Sequence, residues 1–136
     1  MKSMKKILVA YDGEEPARRA LELAGDLAQR FEAALGVVSV IPVHPGRMPV
    51  DPWDDRPVHA QQLAEARELL AARGIEPRLH EPAGDPAPTI EQIADEFDYD
   101  TIVVGSRKLG LVGRVLQGSV SEHVATHADK TVVVAR

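Results

Sequence analysis

Two stretches of this chain combine residue types that can do chemistry together. The first, 105–121, reads Gly-Ser-Arg-Lys-Leu-Gly-Leu-Val-Gly-Arg-Val-Leu-Gln-Gly-Ser-Val-Ser. From Gly105 to Gly118 its ionisable side chains are Arg107, Lys108 and Arg114, with no acid among them, whereas the stretch before it carries Asp85, Glu91, Asp95, Glu96, Asp98 and Asp100. A helix amino terminus presents unbonded amide donors and partial positive charge, so Gly118-Ser119 opening a helix behind a basic loop suits an anion such as phosphate. The second stretch is Tyr11-Asp12-Gly13-Glu14-Glu15, acidic throughout its charged positions. It repels phosphate, which places a phosphate at the 105–121 end. Plainer uses stand beside these. Asp12 can cap a helix or close a turn, Ser119 and Ser121 can be caps alone, and the three cations can be ordinary solvated charges.

Other chemistry is absent or thin. No cysteine occurs among the 136 residues, which excludes disulfides, thiolate metal sites and cysteine nucleophiles. His123 and His127 lie four apart, but two ligands do not make a zinc site, so no metal centre is expected. The 105–121 loop holds no histidine or carboxylate to act as general base, which favours a binding module over an enzyme. The glycine-rich dinucleotide fingerprint after the first strand is missing as well. A net charge of −5 opposes broad binding to nucleic acid. No apolar run approaches the roughly 18–20 residues that span a bilayer. The start is basic, but its apolar run 7–10 is too short for a secretory leader and meets Asp12, so the chain is expected to remain cytoplasmic.

These residues need elements to position them. Residues 6–11, Lys-Ile-Leu-Val-Ala-Tyr, form a near-continuous apolar run of the kind buried on both faces of a parallel sheet. Ala17, Ala20, Leu21, Ala24, Leu27, Ala28 and Phe31 then mark one face of a helix, with Pro16 in its first turn. A second strand at 35–41 precedes a loop, 42–57, with five prolines and Trp53. A second helix carries Leu63, Ala66, Leu69 and Leu70 and stops at Gly74. Residues 76–81 are a weak edge strand. Asp85 caps a third helix with Ile90, Ile93, Ala94 and Phe97 on its buried face. A fourth strand, 101–105, a short helix through Val120, Val124, Ala125 and Ala128, and a fifth strand, 131–135, complete one domain, 1–136.

Five strands alternating with four helices predict an α/β fold, a doubly wound five-stranded parallel sheet of order 3-2-1-4-5. Ligands of such sheets lie outside the carboxyl ends of the strands where the order reverses, here between the first and fourth strands. Asp12-Gly13 and Gly105 stand at those two ends. The last strand, from Thr131 to Ala135, falls at a sheet edge, where unpaired backbone invites a second copy; a two-fold dimer is expected.

At these residues the chain resembles the universal stress protein family. Its nucleotide-binding members carry Gly, two residues, Gly, nine residues, then Gly-Ser or Gly-Thr after the fourth strand. Gly105 and Gly118-Ser119 match, and Lys108 occupies the position of the second glycine. The resemblance extends through Val9-Ala10-Tyr11-Asp12-Gly13, the strand 37–42, Gly84-Asp85-Pro86, residues 100–106 and Val132-Val133-Val134, essentially the whole chain. It implies an adenine nucleotide alpha hydrolase-like fold and an ATP-binding stress-response module, with magnesium as a companion ion. By position, Asp12 resembles the adenine-side carboxylate and Val40 the residue whose backbone edges the adenine. Gly105, Lys108, Gly118, Ser119, Val120 and Ser121 fall at the ribose and phosphate contacts. A left-handed backbone costs a lysine about 1–2 kcal/mol, whereas its charge near a phosphate returns up to about 4 kcal/mol before desolvation, so binding is expected to survive Lys108. The alternatives are a nucleotide-independent dimeric interaction protein, with Lys108 closing the site, and a slow ATPase or autophosphorylating protein with Ser119 or Ser121 as acceptor.

Overall fold

The computed structural model describes residues 4–42, 56–105 and 130–135. In chain order the elements are β1 (Lys6–Ala10), α1 (Glu15–Phe31), β2 (Ala34–Val38), β3 (Ile41–Pro42) and α2 (Arg56–Ala71). There follow β4 (Arg78–His80), β5 (Ala83–Gly84), α3 (Pro86–Glu96), β6 (Thr101–Gly105) and β7 (Thr131–Ala135). The expected short helix around 120–128 lies outside the described residues.

The main sheet is parallel throughout and runs β4-β2-β1-β6-β7, the expected order of the five principal strands. Its centre is β1, which pairs Leu8 with Gly36 of β2 on one side and with Ile102 of β6 on the other. Ile7, Leu8 and Val9 are fully buried, because alternate residues of the strand face different helices. Ile7, Val9, Leu35, Val37 and Val103 pack beneath α1 and α2, while Leu8, Val38, Ile102 and Val104 pack beneath α3. Burying side chains of this size stabilises the fold by about 1.5–3 kcal/mol each.

Several local expectations are corrected. The second strand leaves the main sheet after Val38; Ile41 and Pro42 instead pair with Ala83 and Gly84 in a separate two-stranded ribbon. The third principal strand shortens to three residues at the edge. Phe31 and Leu69 are about half exposed, because the core beneath α1 ends at Ala28 and Leu69 points away from the sheet, next to buried Leu70. Asp85 stands at the N-cap of α3, but its side chain makes no cap hydrogen bond. Gly74 does adopt the expected left-handed backbone after α2, with φ 77°.

The amino end of the sheet has its own polar lock. Asp100 Oδ2 accepts the amides of Lys5 and Lys6 at 2.9 and 3.0 Å, tying the start of β1 to the start of β6. Carbonyls in the link after α3 meet cations there: Lys6 Nζ donates to Phe97 O, at the helix C-cap, and Lys130 Nζ to Tyr99 O at 2.6 Å. The carboxylate that sequence reading grouped with the acids before the basic loop therefore serves the end of the sheet opposite the candidate site.

Candidate functional site

The order of the sheet reverses between β1 and β6. From β1 the chain proceeds outward to β2 and β4, then returns through α3 to β6 and β7. The last paired residues of these two strands are Val9 and Val103, and two residues further along each stand Tyr11 and Gly105. By the rule for open parallel sheets, a ligand crevice is expected beyond these strand ends, with Asp12 just after β1 on one side and Gly105 ending β6 on the other.

Asp12 is half-buried at the exit of β1. Its Oδ1 accepts the Glu14 amide at 3.0 Å, an Asx turn that lifts the chain from β1 into α1. Gly13, inside that turn, has φ +80°, a conformation glycine adopts without steric cost. The turn-closing use anticipated for Asp12 is thus real, and a carboxylate can accept further bonds at the same time.

Beside Asp12, Tyr11 turns to the opposite face of the sheet. Its buried hydroxyl donates to Glu65 Oε1 on α2, which also receives Arg18 Nη2 from α1 at 3.1 Å. Burial, and then the Glu65 carboxylate, push the Tyr11 phenol up to about 12, so it remains a proton donor.

Val40 lies beyond β2, partly buried against the core under α3. Its neighbour Ser39 is 1% exposed and faces α2. The Ser39 amide donates to His80 O at 3.0 Å, and its hydroxyl donates to Gln62 Oε1 at 3.3 Å. His59 Nδ1 stands 2.6 Å from Ser39 Oγ, within hydrogen-bond distance. Sequence reading missed Ser39, His59, Gln62 and Glu65. The signal was a polar row spaced three apart on α2, but that spacing also describes a solvated helix face.

Gly105 closes β6 against the start of α1. A Cβ at this position would stand 2.4 Å from Pro16 O and 2.9 Å from the Ala17 amide nitrogen. The glycine is therefore required by strand–helix packing, whether or not a ligand approaches it. Lys108, Gly118, Ser119, Val120 and Ser121, the phosphate-side residues, lie outside the described residues. The structure thus brings Asp12, Val40 and Gly105 to the carboxyl edge of the sheet. A groove of about 530 Å³ runs elsewhere, along α2 and β4, lined by Leu63, Ala64, Arg67, Glu68, Ala71 and Leu79 among others. It contains none of the site residues.

What these residues can do follows from their chemistry. A carboxylate and exposed backbone groups can exchange hydrogen bonds with a polar ligand, while the acids at 12, 14 and 15 make this side unfavourable for phosphate.

Comparison with known proteins bears on this geometry. The model of the family described as "Universal stress protein family" matches residues 4–136. The chain is 26% identical to the stress response protein NhaX of Bacillus subtilis (strain 168), covering 96% of this chain and 97% of that one. A universal stress protein family structure from Burkholderia pseudomallei superposes with TM-score 0.74 at 28% identity, over 96% of this chain and 95% of that one. A universal stress protein solved in complex with cAMP gives TM-score 0.73 at 26% identity, over 99% of this chain and 98% of that one.

Proposed function

The chain belongs to the universal stress protein family, and from that premise we propose that it is a regulatory module that binds an adenine nucleotide, ATP in the first instance, at the crevice between β1 and β6. The observation that carries the reading is the placement of Asp12 on a rigid Asx turn at the point where strand order reverses. A relative of the same fold binds cAMP, an adenine nucleotide. In this reading Asp12 and the Val40 backbone hold the base. Gly105, Gly118, Ser119, Val120 and Ser121 contact ribose and phosphates, and Lys108 supplies charge to the phosphates, with magnesium as companion when ATP is bound. The ligand's role is to bias a conformation or a contact between copies, since the chain's own residues offer no evident general base in the phosphate loop.

A second reading has an observation of its own. Asp12 closes a turn and Gly105 fits under α1, and neither use needs a ligand. The chain would then be a nucleotide-independent dimeric interaction protein in which Lys108 has closed the site.

Isothermal titration with ATP and magnesium separates the two. Micromolar binding by wild type that is lost in Asp12→Ala supports the nucleotide module. No binding by wild type, with binding appearing in Lys108→Gly, supports the closed site.

A further inference from the structure

The rims of the crevice are not joined by the sheet. The β1–β2 ladder runs out with the Tyr11 amide donating to Val38 O at 3.0 Å. Past that bond the two chains turn apart. The Asp12 rim closes on itself through the Glu14 amide, and the Val40 rim bonds outward, Ser39 to His80 O and Ile41 to Pro82 O.

One side chain bridges the gap. Gln62, projecting from α2, has its Oε1 3.3 Å from the Ser39 hydroxyl, immediately before Val40. Its Cγ and Nε2 lie 3.4 and 3.6 Å from where a Cβ on Gly13 would stand, immediately after Asp12. The same amide side chain therefore bonds the neighbour of one rim residue and lies beside the neighbour of the other. His59, one turn earlier on α2, hydrogen-bonds the same Ser39 hydroxyl at 2.6 Å. Glu65, one turn later, holds Tyr11 and Arg18.

We infer that Gln62 is a positioning residue that sets the separation of the Asp12 and Val40 rims, so that ligand affinity depends on a side chain outside the ligand contacts. The affinity part rests on the nucleotide reading above; the tie between the rims does not. A rim that must be ordered by the ligand weakens binding by the cost of ordering it, and Gln62 has already met that cost.

The test uses the full chain in three forms: wild type, Gln62→Ala and Gln62→Glu. The glutamate keeps the methylenes beside Gly13 and an acceptor for Ser39, so it is the rescue. Without nucleotide, amide hydrogen exchange at Gly13, Glu14 and Val40 is expected to quicken about tenfold in Gln62→Ala, the equivalent of one lost hydrogen bond, and to stay near wild type in Gln62→Glu. Exchange at Ile102, in the sheet centre, stays unchanged in both. Titration with cAMP is expected to give a Kd about tenfold weaker for Gln62→Ala only. Wild-type exchange at the rims of Gln62→Ala overturns the inference, and so does a wild-type Kd in a variant whose rims have loosened. If wild type binds no nucleotide, the proposed function fails by itself and the exchange comparison alone decides the role of Gln62.

Discussion

His80 shows how far a single buried group can set the response to pH. It is 7% exposed, its Nε2 lies 2.7 Å from the Tyr99 hydroxyl, and its ring centroid is 4.6 Å from that of Phe97. Burial, followed by the nearby Arg78 and Lys6 charges, lowers its pKa below the ordinary 6.5. The folded chain thus keeps this imidazole neutral where the unfolded chain takes up a proton. As pH falls through 6.5 the unfolded state binds more protons and stability declines; above that pH the contribution is complete. His80→Gln keeps a hydrogen-bonding group for Tyr99 and removes the titration. Urea unfolding between about pH 8 and pH 5 should therefore show a shallower loss of stability in the variant than in wild type. Equal slopes would mean that another group controls the acid side. Asp12 was readable as a candidate at this scale because its carboxylate ends an apolar run. Ser39 was not, since a serine after a strand has no distinctive pattern until α2 is laid across it.

Between elements, the decisive contact is the end of β6 against the start of α1. Alanine at 105 places its methyl 2.4 Å from a backbone oxygen, which a rotamer change cannot relieve. Gly105→Ala should destabilise the fold by about 1–3 kcal/mol in urea titrations, the range for overpacking a close-fitted site. A variant as stable as wild type but weaker for nucleotide would show instead that the ligand, and not the helix, requires the glycine. From the sequence this glycine falls at the phosphate contacts, because nothing in the chain order says that Pro16 will lie above it. Helix α1 itself was legible in its alanine-rich stripe, and its small residues let it sit close to the sheet. The ribbon of β3 and β5 was not legible: two-residue strands have no periodicity to read, and they exist only because 41–42 and 83–84 leave the main sheet side by side.

The whole molecule presents two sheet edges with different character. At one, β4 has three residues and carries Arg78 and exposed Leu79. At the other, β7 has five residues, with Val132, Val133 and Val134 only partly buried. If a second copy pairs at a sheet edge, length and apolar surface favour β7 over β4. Light scattering at micromolar concentration should give the mass of two chains for wild type and of one chain for Val132→Lys, whose charge opposes edge pairing. Val133 and Val134 pack against the core, whereas among the described residues Val132 joins neither cluster, so it is the valine of this strand chosen to read assembly. A single-chain mass for wild type would remove the dimer. Among the described residues no helix is long and apolar enough to cross a membrane.

The amino-acid sequence by itself determined the class of fold, the sheet order and the strand ends to inspect. Apolar runs, helical stripes and the rule for crossovers are local or topological, and each can be read from residues near one another in the chain. Tertiary structure decided what those ends are made of. Asp12 closes a turn, Gly105 fits beneath Pro16, and Gln62 reaches Gly13 and Ser39 together. These contacts join residues separated by many positions, and their meaning lies in distances of a few ångströms that no spacing along the chain encodes.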